Sequence, residues 1–258
     1  MKENNTYISK KAKIHSSVKI GPYCVIGDNV EIDENCQIYS HVSILGNTKI
    51  GKSNTFYPFS SIGSSPQDLK YEGEKSFLVI GDNNTIRENV TINPGTKGGG
   101  LYTRINNNCL FMVGSHIAHD CMIGSNVILA NNATLAGHVE IENNVIIGGN
   151  SGIHQFVKIG KNAMVGGMSG LEKNLIPYGL YTGIRSNLKG LNLIGLKRKG
   201  LENNKIKILN NFIENIFDKK DSIDNNLNNI EDEIKAIEEV SEIIDFIEKS
   251  NQRGLVTL

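Results

Sequence analysis

Residues 105–147 read INNNCLFMVGSHIAHDCMIGSNVILANNATLAGHVEIENNVII, and a large apolar side chain returns at every sixth position. The ladder runs Ile105, Phe111, Ile117, Ile123, Leu129, Leu135, Ile141, Ile147, then on through Ile153, Ile159, Val165 and Leu171. Towards the N-terminus the same rhythm holds from Ile8 through Ile14, Ile20, Ile26, Ile32, Ile38, Ile44, Ile50, Phe56 and Ile62. It resumes at Ile80, Ile86 and Ile92. A period of six is neither the roughly 3.6 of an α-helix nor the alternation of an ordinary strand. It suits short strands joined by tight turns, with Gly and Asn supplying backbone conformations of positive φ. Three hexads close one triangular coil, and successive coils stack as parallel strands about 4.8 Å apart. Each buried ladder residue contributes about 1.5–3 kcal/mol, so the column can hold an elongated prism without a conventional core.

Four positions after each ladder residue sits a small side chain: Val18, Cys24, Val30, Cys36, Val42, Thr48, then Cys109, Ser115, Cys121, Val127, Ala133 and Val139. All four cysteines of the chain fall in this slot and none forms a CxxC pair. They read as small inward-facing apolar residues rather than as a zinc or redox site.

The 258 residues carry no formal net charge and no tryptophan. No whole-protein field therefore draws the chain to nucleic acid or to an anionic membrane. The opening MKENNTYISKKAKIH lacks the apolar stretch of a signal peptide. No apolar run approaches the ~20 residues of a membrane span. A cytoplasmic, soluble protein is expected.

Two segments interrupt the ladder. Residues 64–76 (SSPQDLKYEGEKS) are polar, and residues 93–104 (NPGTKGGGLYTR) are glycine-rich. Loops extruded from a rigid solenoid are natural carriers of function. The triple glycine could suggest a phosphate cradle, although its spacing is not that of a Walker loop. The repeat, residues 1–171, is expected to end at Leu171. A polar connector over residues 172–200 should then lead into a helical domain reaching residue 258. Within it, Ile206, Leu209, Ile213 and Ile216 mark one amphipathic helix, and Ile230, Ile234, Ile237, Ile244 and Ile247 another. Such a domain would cap the open end of the prism.

Four of the six histidines fall in neighbouring coils: His116, His119, His138 and His154. One coil of eighteen residues separates His119 from Gly137, and another leads to Gln155, so the four should gather along one edge within roughly 10 Å. Three readings stand side by side. The histidines could be turn residues satisfied by backbone. They could hold a metal, which wants three converging imidazoles; the His-x4-His pair of the hexapeptide-repeat carbonic anhydrases is absent. Or one could be a general base acting near neutral pH, with Asp120 a candidate to fix the tautomer of His119.

The segments QDLKYEGE (67–74), SHIAHDC (115–121), ILANNATLAGHV (128–139), IHQF (153–156), MVGGMSG (164–170), GLKRKG (195–200) and RGL (253–255) resemble, in order, those of the UDP-N-acetylglucosamine O-acyltransferases of lipid A biosynthesis. The resemblance covers nearly the whole chain. Hexads alone would indicate only the superfamily, whereas the QDLKY and NNATLAGH segments are far more discriminating. It implies a left-handed parallel β-helix with a C-terminal α-helical domain, a hand that periodicity does not supply and that the general rule for parallel crossovers opposes.

The resemblance also implies transfer of a (3R)-3-hydroxyacyl group from acyl carrier protein to the 3-hydroxyl of UDP-N-acetylglucosamine, in a homotrimer with its cleft between subunits. No cofactor or metal is implied, since the acyl donor brings the phosphopantetheine of its carrier. On the matching positions, His119 would deprotonate the hydroxyl, Asp120 would orient it and the backbone N–H of Gly137 would receive the oxyanion. Asp68 and Lys70 would reach the glucosamine and its phosphates. His116, His138 and Gln155 would shape the sugar site, and His154 would support the acyl side. Gly167 would floor the acyl groove, near fourteen carbons in relatives with glycine there. Asn192, Arg198 and Lys199 match the nucleotide-binding segment. Lys199 stands where arginine is usual, which loses bidentate geometry. Ile194 replaces an acidic residue and Arg185 a histidine, which alters the contacts to uracil.

Residues 172–199 hold Lys173, Arg185, Lys189, Lys197, Arg198 and Lys199 against Glu172 alone. They read either as a solvated surface or as a docking patch for an acidic carrier protein and UDP phosphates. Rival readings are the N-acyltransferase two steps later in the pathway, which carries an extra N-terminal domain, and acetyl-CoA-dependent hexapeptide enzymes, against which the helical end and QDLKY loop argue. A non-catalytic solenoid should instead show bare, regular faces.

Overall fold

A computed structural model describes residues 5–250 and 253–258; the first four residues of the N-terminal stretch read above lie outside them. The hexads form three parallel sheets that wrap into a prism. The first sheet stacks strands from Tyr7–Ile8 to Gly170–Leu171, the second from Lys13–Ile14 to Lys158–Ile159, and the third begins at Lys19–Ile20. Register follows the ladder directly: Ile26 lies against Ile44, Ile44 against Ile62, and Ile117 against Leu135. From Ile26 to Leu171 every ladder residue is buried, while Ile8 at the open end is not. The small slot is buried too from Cys24 onward, and all four thiols there donate to backbone carbonyls. Burial pushes the Cys109 thiol up to about 11 and the Cys121 thiol to about 12, so neither is a nucleophile at neutral pH.

The abundance of asparagine has a geometric cause. On the edge between second and third sheets, the left-handed corner residue is Asn35, Asn83, Asn108, Asn126, Asn144 or Asn162, with φ between 57° and 62°, replaced by Ser53 on one coil and Tyr178 on the last. Asparagine tolerates that conformation better than any other residue with a side chain of its size.

Ile50 pairs with Ile80, thirty positions on rather than eighteen, and Ile80 with Ile105, twenty-five positions on. Twelve and then seven residues are therefore extruded. Both loops leave the edge between the first and second sheets, on adjacent coils, so they meet there. Lys97 N–H donates to Glu74 Oε1 at 2.8 Å and fastens one loop to the other.

The coil does not stop at Leu171. Leu175 bridges to Ile159, and the strand Gly179–Tyr181 extends the third sheet in parallel before Leu188–Leu191 closes it antiparallel. Partners here are sixteen positions apart, so the hexad phase breaks while the geometry persists. Among the described residues five α-helices follow: α1 (Leu193–Arg198), α2 (Asn203–Ile216), α3 (Ile223–Asn228), α4 (Asp232–Lys235) and α5 (Glu238–Glu248). α2 buries Ile206, Leu209, Phe212, Ile213 and Ile216, the face read from its spacing. The second isoleucine series is not one helix. Ile237 adopts extended backbone at the start of α5, and the buried face shifts to Val240, Ile243, Phe246 and Ile247. Helix α5 is tied to the prism through Glu242, which accepts from the Tyr178 hydroxyl and pairs with Lys161. Burial, reinforced by the carboxylate, raises the Tyr178 phenol far above its usual value.

Candidate active site

On the coils after both loops, the edge that carries them places no asparagine at its left-handed corner. Its left-handed corner positions on three successive coils hold Asp120, His138 and Phe156, with φ of 60°, 61° and 64°. Strained positions with unusual side chains mark functional sites. Each residue is preceded by its neighbour in the vertical column His119, Gly137, Gln155.

His119 and Asp120 are buried, 6% and 4% exposed. His119 Nδ1 lies 2.8 Å from Asp120 Oδ2. With Asp120 ionised, Nδ1 carries the proton and Nε2 is left as an acceptor. The carboxylate is held in turn: Thr96 Oγ1 donates to Oδ2 at 2.6 Å and Thr96 N–H to Oδ1 at 2.8 Å. The Asp120 amide donates to Thr103 Oγ1 at 2.8 Å. Burial alone would raise the Asp120 carboxyl, but hydrogen bonds from His119 and Thr96 outweigh it and hold it below the ordinary range.

Gly137 sits directly over the base. A Cβ there would come 2.5 Å from His119 Cε1 and 2.7 Å from Nε2, closer than any real contact, so only glycine lets the imidazole lie flat against the backbone. No protein acceptor among the described residues takes the Gly137 N–H. His138 stacks on Phe156 at 4.4 Å and meets His119 edge-on at 5.1 Å. Burial keeps the His138 imidazole below its usual value, as it does for His116, whose Nδ1 is 2.7 Å from Thr91 Oγ1.

Before this column lies a cleft of about 680 Å³ lined by Asp68, Lys70, His116, His119, Gly137 and Gln155, among others. Asp68 Oδ2 faces His119 Nε2 across it at 4.0 Å, too far for a hydrogen bond, so Nε2 opens onto the cleft. Asn93 also lines it, buried, with an Oδ1 that has no hydrogen-bond partner. His119, Asp120 and His138 present ligand atoms within 4.8 Å of one another. A cation there would have to displace the hydrogens of His119 and Thr96 from Asp120.

The structure thus brings Asp68, Lys70, His116, His119, Asp120, Gly137, His138 and Gln155 to one edge. His154 is exposed on the same edge but outside the cleft wall. Gly167 is exposed on the edge between third and first sheets, where an added Cβ would come no closer than 3.3 Å, to Gly149 O. Asn192 is buried on the edge between second and third sheets. Its Oδ1 accepts from Gly195 N–H at 3.1 Å to cap α1, and its Nδ2 donates to Asn162 O at 3.0 Å. One donor and one acceptor position of its amide are thus engaged within the fold. Arg198 closes α1, and the Lys199 ammonium lies 5.3 Å over the Tyr178 ring. Arg185 pairs with Glu172 at 3.1 Å, and Ile194 is exposed. Thr96 and Thr103 had no sequence signal, because nothing in the hexad rhythm says which loop residue folds onto Asp120.

A hexapeptide prism with an Asp-supported histidine opening onto a loop-flanked cleft defines the class: a hexapeptide-repeat acyltransferase. The models for bacterial transferase hexapeptide repeats match residues 102–137 and 138–173, and one for a GMPPB C-terminal domain matches 2–96. The model for UDP-N-acetylglucosamine O-acyltransferase domain 2 matches residues 175–256. The acyl-[acyl-carrier-protein]–UDP-N-acetylglucosamine O-acyltransferase of Thermodesulfovibrio yellowstonii is 47% identical, across 96% of each chain. That of Rickettsia typhi is 48% identical, across 96% of this chain and 94% of its own. The solved UDP-N-acetylglucosamine O-acyltransferase of Moraxella catarrhalis superposes with a TM-score of 0.94 at 43% identity, covering 98% of both chains. The chain belongs to the UDP-N-acetylglucosamine O-acyltransferase family, and its fold is the left-handed parallel β-helix with a C-terminal helical part.

Proposed function

We propose that this chain transfers a (3R)-3-hydroxyacyl group from acyl carrier protein to the 3-hydroxyl of UDP-N-acetylglucosamine, the first step of lipid A biosynthesis. The observation that carries the mechanism is the His119–Asp120 pair, with Nδ1 tied at 2.8 Å and Nε2 free towards the cleft. Nε2 takes the proton of the sugar hydroxyl as its oxygen attacks the thioester carbonyl. The developing oxyanion is received by the Gly137 N–H, a preorganised donor. The tetrahedral intermediate collapses, the C–S bond breaks, and the imidazolium returns its proton to the departing phosphopantetheine thiolate. No acyl-enzyme forms, because base, donor and acceptor share one ternary complex. The chemistry needs no cofactor beyond the phosphopantetheine that the donor carries.

Asp68 and Lys70 would hold the glucosamine and its phosphates, His116, His138 and Gln155 the sugar, and His154 the acyl side. Arg198 and Lys199 would grip the nucleotide diphosphate. These groups occupy different edges of the prism, with Gly167 on a third. A site using all of them draws on more than one copy, which favours a homotrimer with clefts between subunits. No helix among the described residues is long and apolar enough to cross a membrane, in keeping with a cytoplasmic enzyme.

The test supplies defined 3-hydroxyacyl carrier proteins together with UDP-N-acetylglucosamine or its 3-amino analogue. Release of holo-carrier protein with a 3-O-acylated sugar supports the reading; turnover only with acyl-coenzyme A, or no acylated sugar, overturns it.

A further inference from the structure

The glycine-rich loop read from sequence as a possible phosphate cradle is folded instead onto the carboxylate behind the base. Thr96 occupies the capping position of a short 3-10 turn, Lys97–Gly99, yet its side chain makes no cap hydrogen bond. Its hydroxyl is turned the other way, donating to Asp120 Oδ2 at 2.6 Å, while its amide donates to Oδ1 at 2.8 Å. Thr96 is 4% exposed, so neither donor is shared with solvent. The glycines around it make room for this approach. A Cβ on Gly99 would lie 2.0 Å from Asp120 Cγ, and one on Gly95 would lie 2.2 Å from Tyr102 N.

We infer that Thr96 is a positioning residue for the acyl transfer: it clamps both Asp120 oxygens so that the carboxylate meets His119 Nδ1 and keeps Nε2 the proton acceptor. The inference rests on the reading of His119 as the base. A carboxylate with one oxygen shared between His119 and Thr96, and the other bound by an amide, cannot rotate without breaking a short bond. Releasing the hydroxyl leaves Oδ2 held by His119 alone and Oδ1 by the Thr96 amide, which loosens the carboxylate that fixes the imidazole. The arrangement also separates roles within the edge: Thr96 is buried and does not line the cleft, so it acts through Asp120 alone.

The experiment is a double-mutant cycle on the full chain, with kcat, KM and folding measured for Thr96→Val, Thr96→Ser, Asp120→Ala and Thr96→Val combined with Asp120→Ala. Partners that orient a metal-ligating side chain from behind are typically worth about 10- to 100-fold, and Thr96 stands in the same relation to the base. Thr96→Val should lower kcat by about that factor with KM within about twofold, and Thr96→Ser should restore most of it. In the Asp120→Ala background Thr96→Val should cost nothing further, because the group it acts through is gone. Wild-type kcat in Thr96→Val, a loss confined to KM, or losses that multiply in the double variant would each overturn the inference. An Asp120→Ala enzyme with full activity would instead strike the reading of the base itself.

Discussion

Gly137→Ala isolates the geometry around the base with one methyl group. The new carbon would lie 2.5 Å from His119 Cε1, 2.7 Å from Nε2 and 3.1 Å from Nδ1, whereas carbon contacts settle near 3.5–4.0 Å. The backbone can accept alanine, since Gly137 is not among the glycines of positive φ. The imidazole must therefore move, by about 1 Å, and with it the 2.8 Å bond to Asp120. A displacement of that size in a reacting group costs about 100-fold in rate, or about 2.7 kcal/mol of transition-state stabilisation. Steady-state turnover of carrier-bound substrate should fall accordingly while thermal unfolding stays close to wild type. A kcat within twofold of wild type would refute the contact between Gly137 and the base.

Gly167→Met should shift acyl selectivity towards shorter chains in a competition assay without loss of fold, since the site is exposed and its Cβ meets nothing closer than 3.3 Å; unchanged selectivity would remove Gly167 from the groove. Phe111→Ala, deleting a fully buried ladder ring, should cost about 3–5 kcal/mol in urea unfolding. Burial holds the His116 and His138 imidazoles below their ordinary value, so the unfolded chain binds more protons. Their contribution to stability is complete above about pH 6.5 and is lost as pH falls through the folded values. His116→Gln should flatten that acid-side decline in Tm; an unchanged slope contradicts it.

The prism was legible because one slot in six is filled by a large apolar side chain, and burial of that slot fixes register, phase and coil closure together. Legibility ended where spacing changed. The last coil, through Leu175 and Tyr181, escaped the count because it is two residues short and uses a tyrosine inward. The split between α4 and α5 escaped because Ile237 satisfies a helical spacing while its backbone is extended. At the site, resemblance picks out His119, Asp120 and Gly137, and the eighteen-residue step from His119 to Gly137 stacks those two on one edge. A further local signal is the left-handed corner column Asp120, His138 and Phe156 beside the two loops; the edge between third and first sheets carries another such column in Tyr23, His41 and Phe59, so only its place next to the loops singles it out. Thr96 could not be read, since a loop's fold onto a carboxylate is tertiary. Nor could Asn192, whose capping of α1 depends on the carbonyl of Asn162.

Everything in the proposed reaction depends on the imidazole at position 119 taking the proton of the acceptor hydroxyl. His119→Ala, assayed with carrier-bound 3-hydroxyacyl donor and UDP-N-acetylglucosamine, should lose turnover by several orders of magnitude while still binding the sugar nucleotide and unfolding at nearly the wild-type temperature. Turnover within about tenfold of wild type would contradict it.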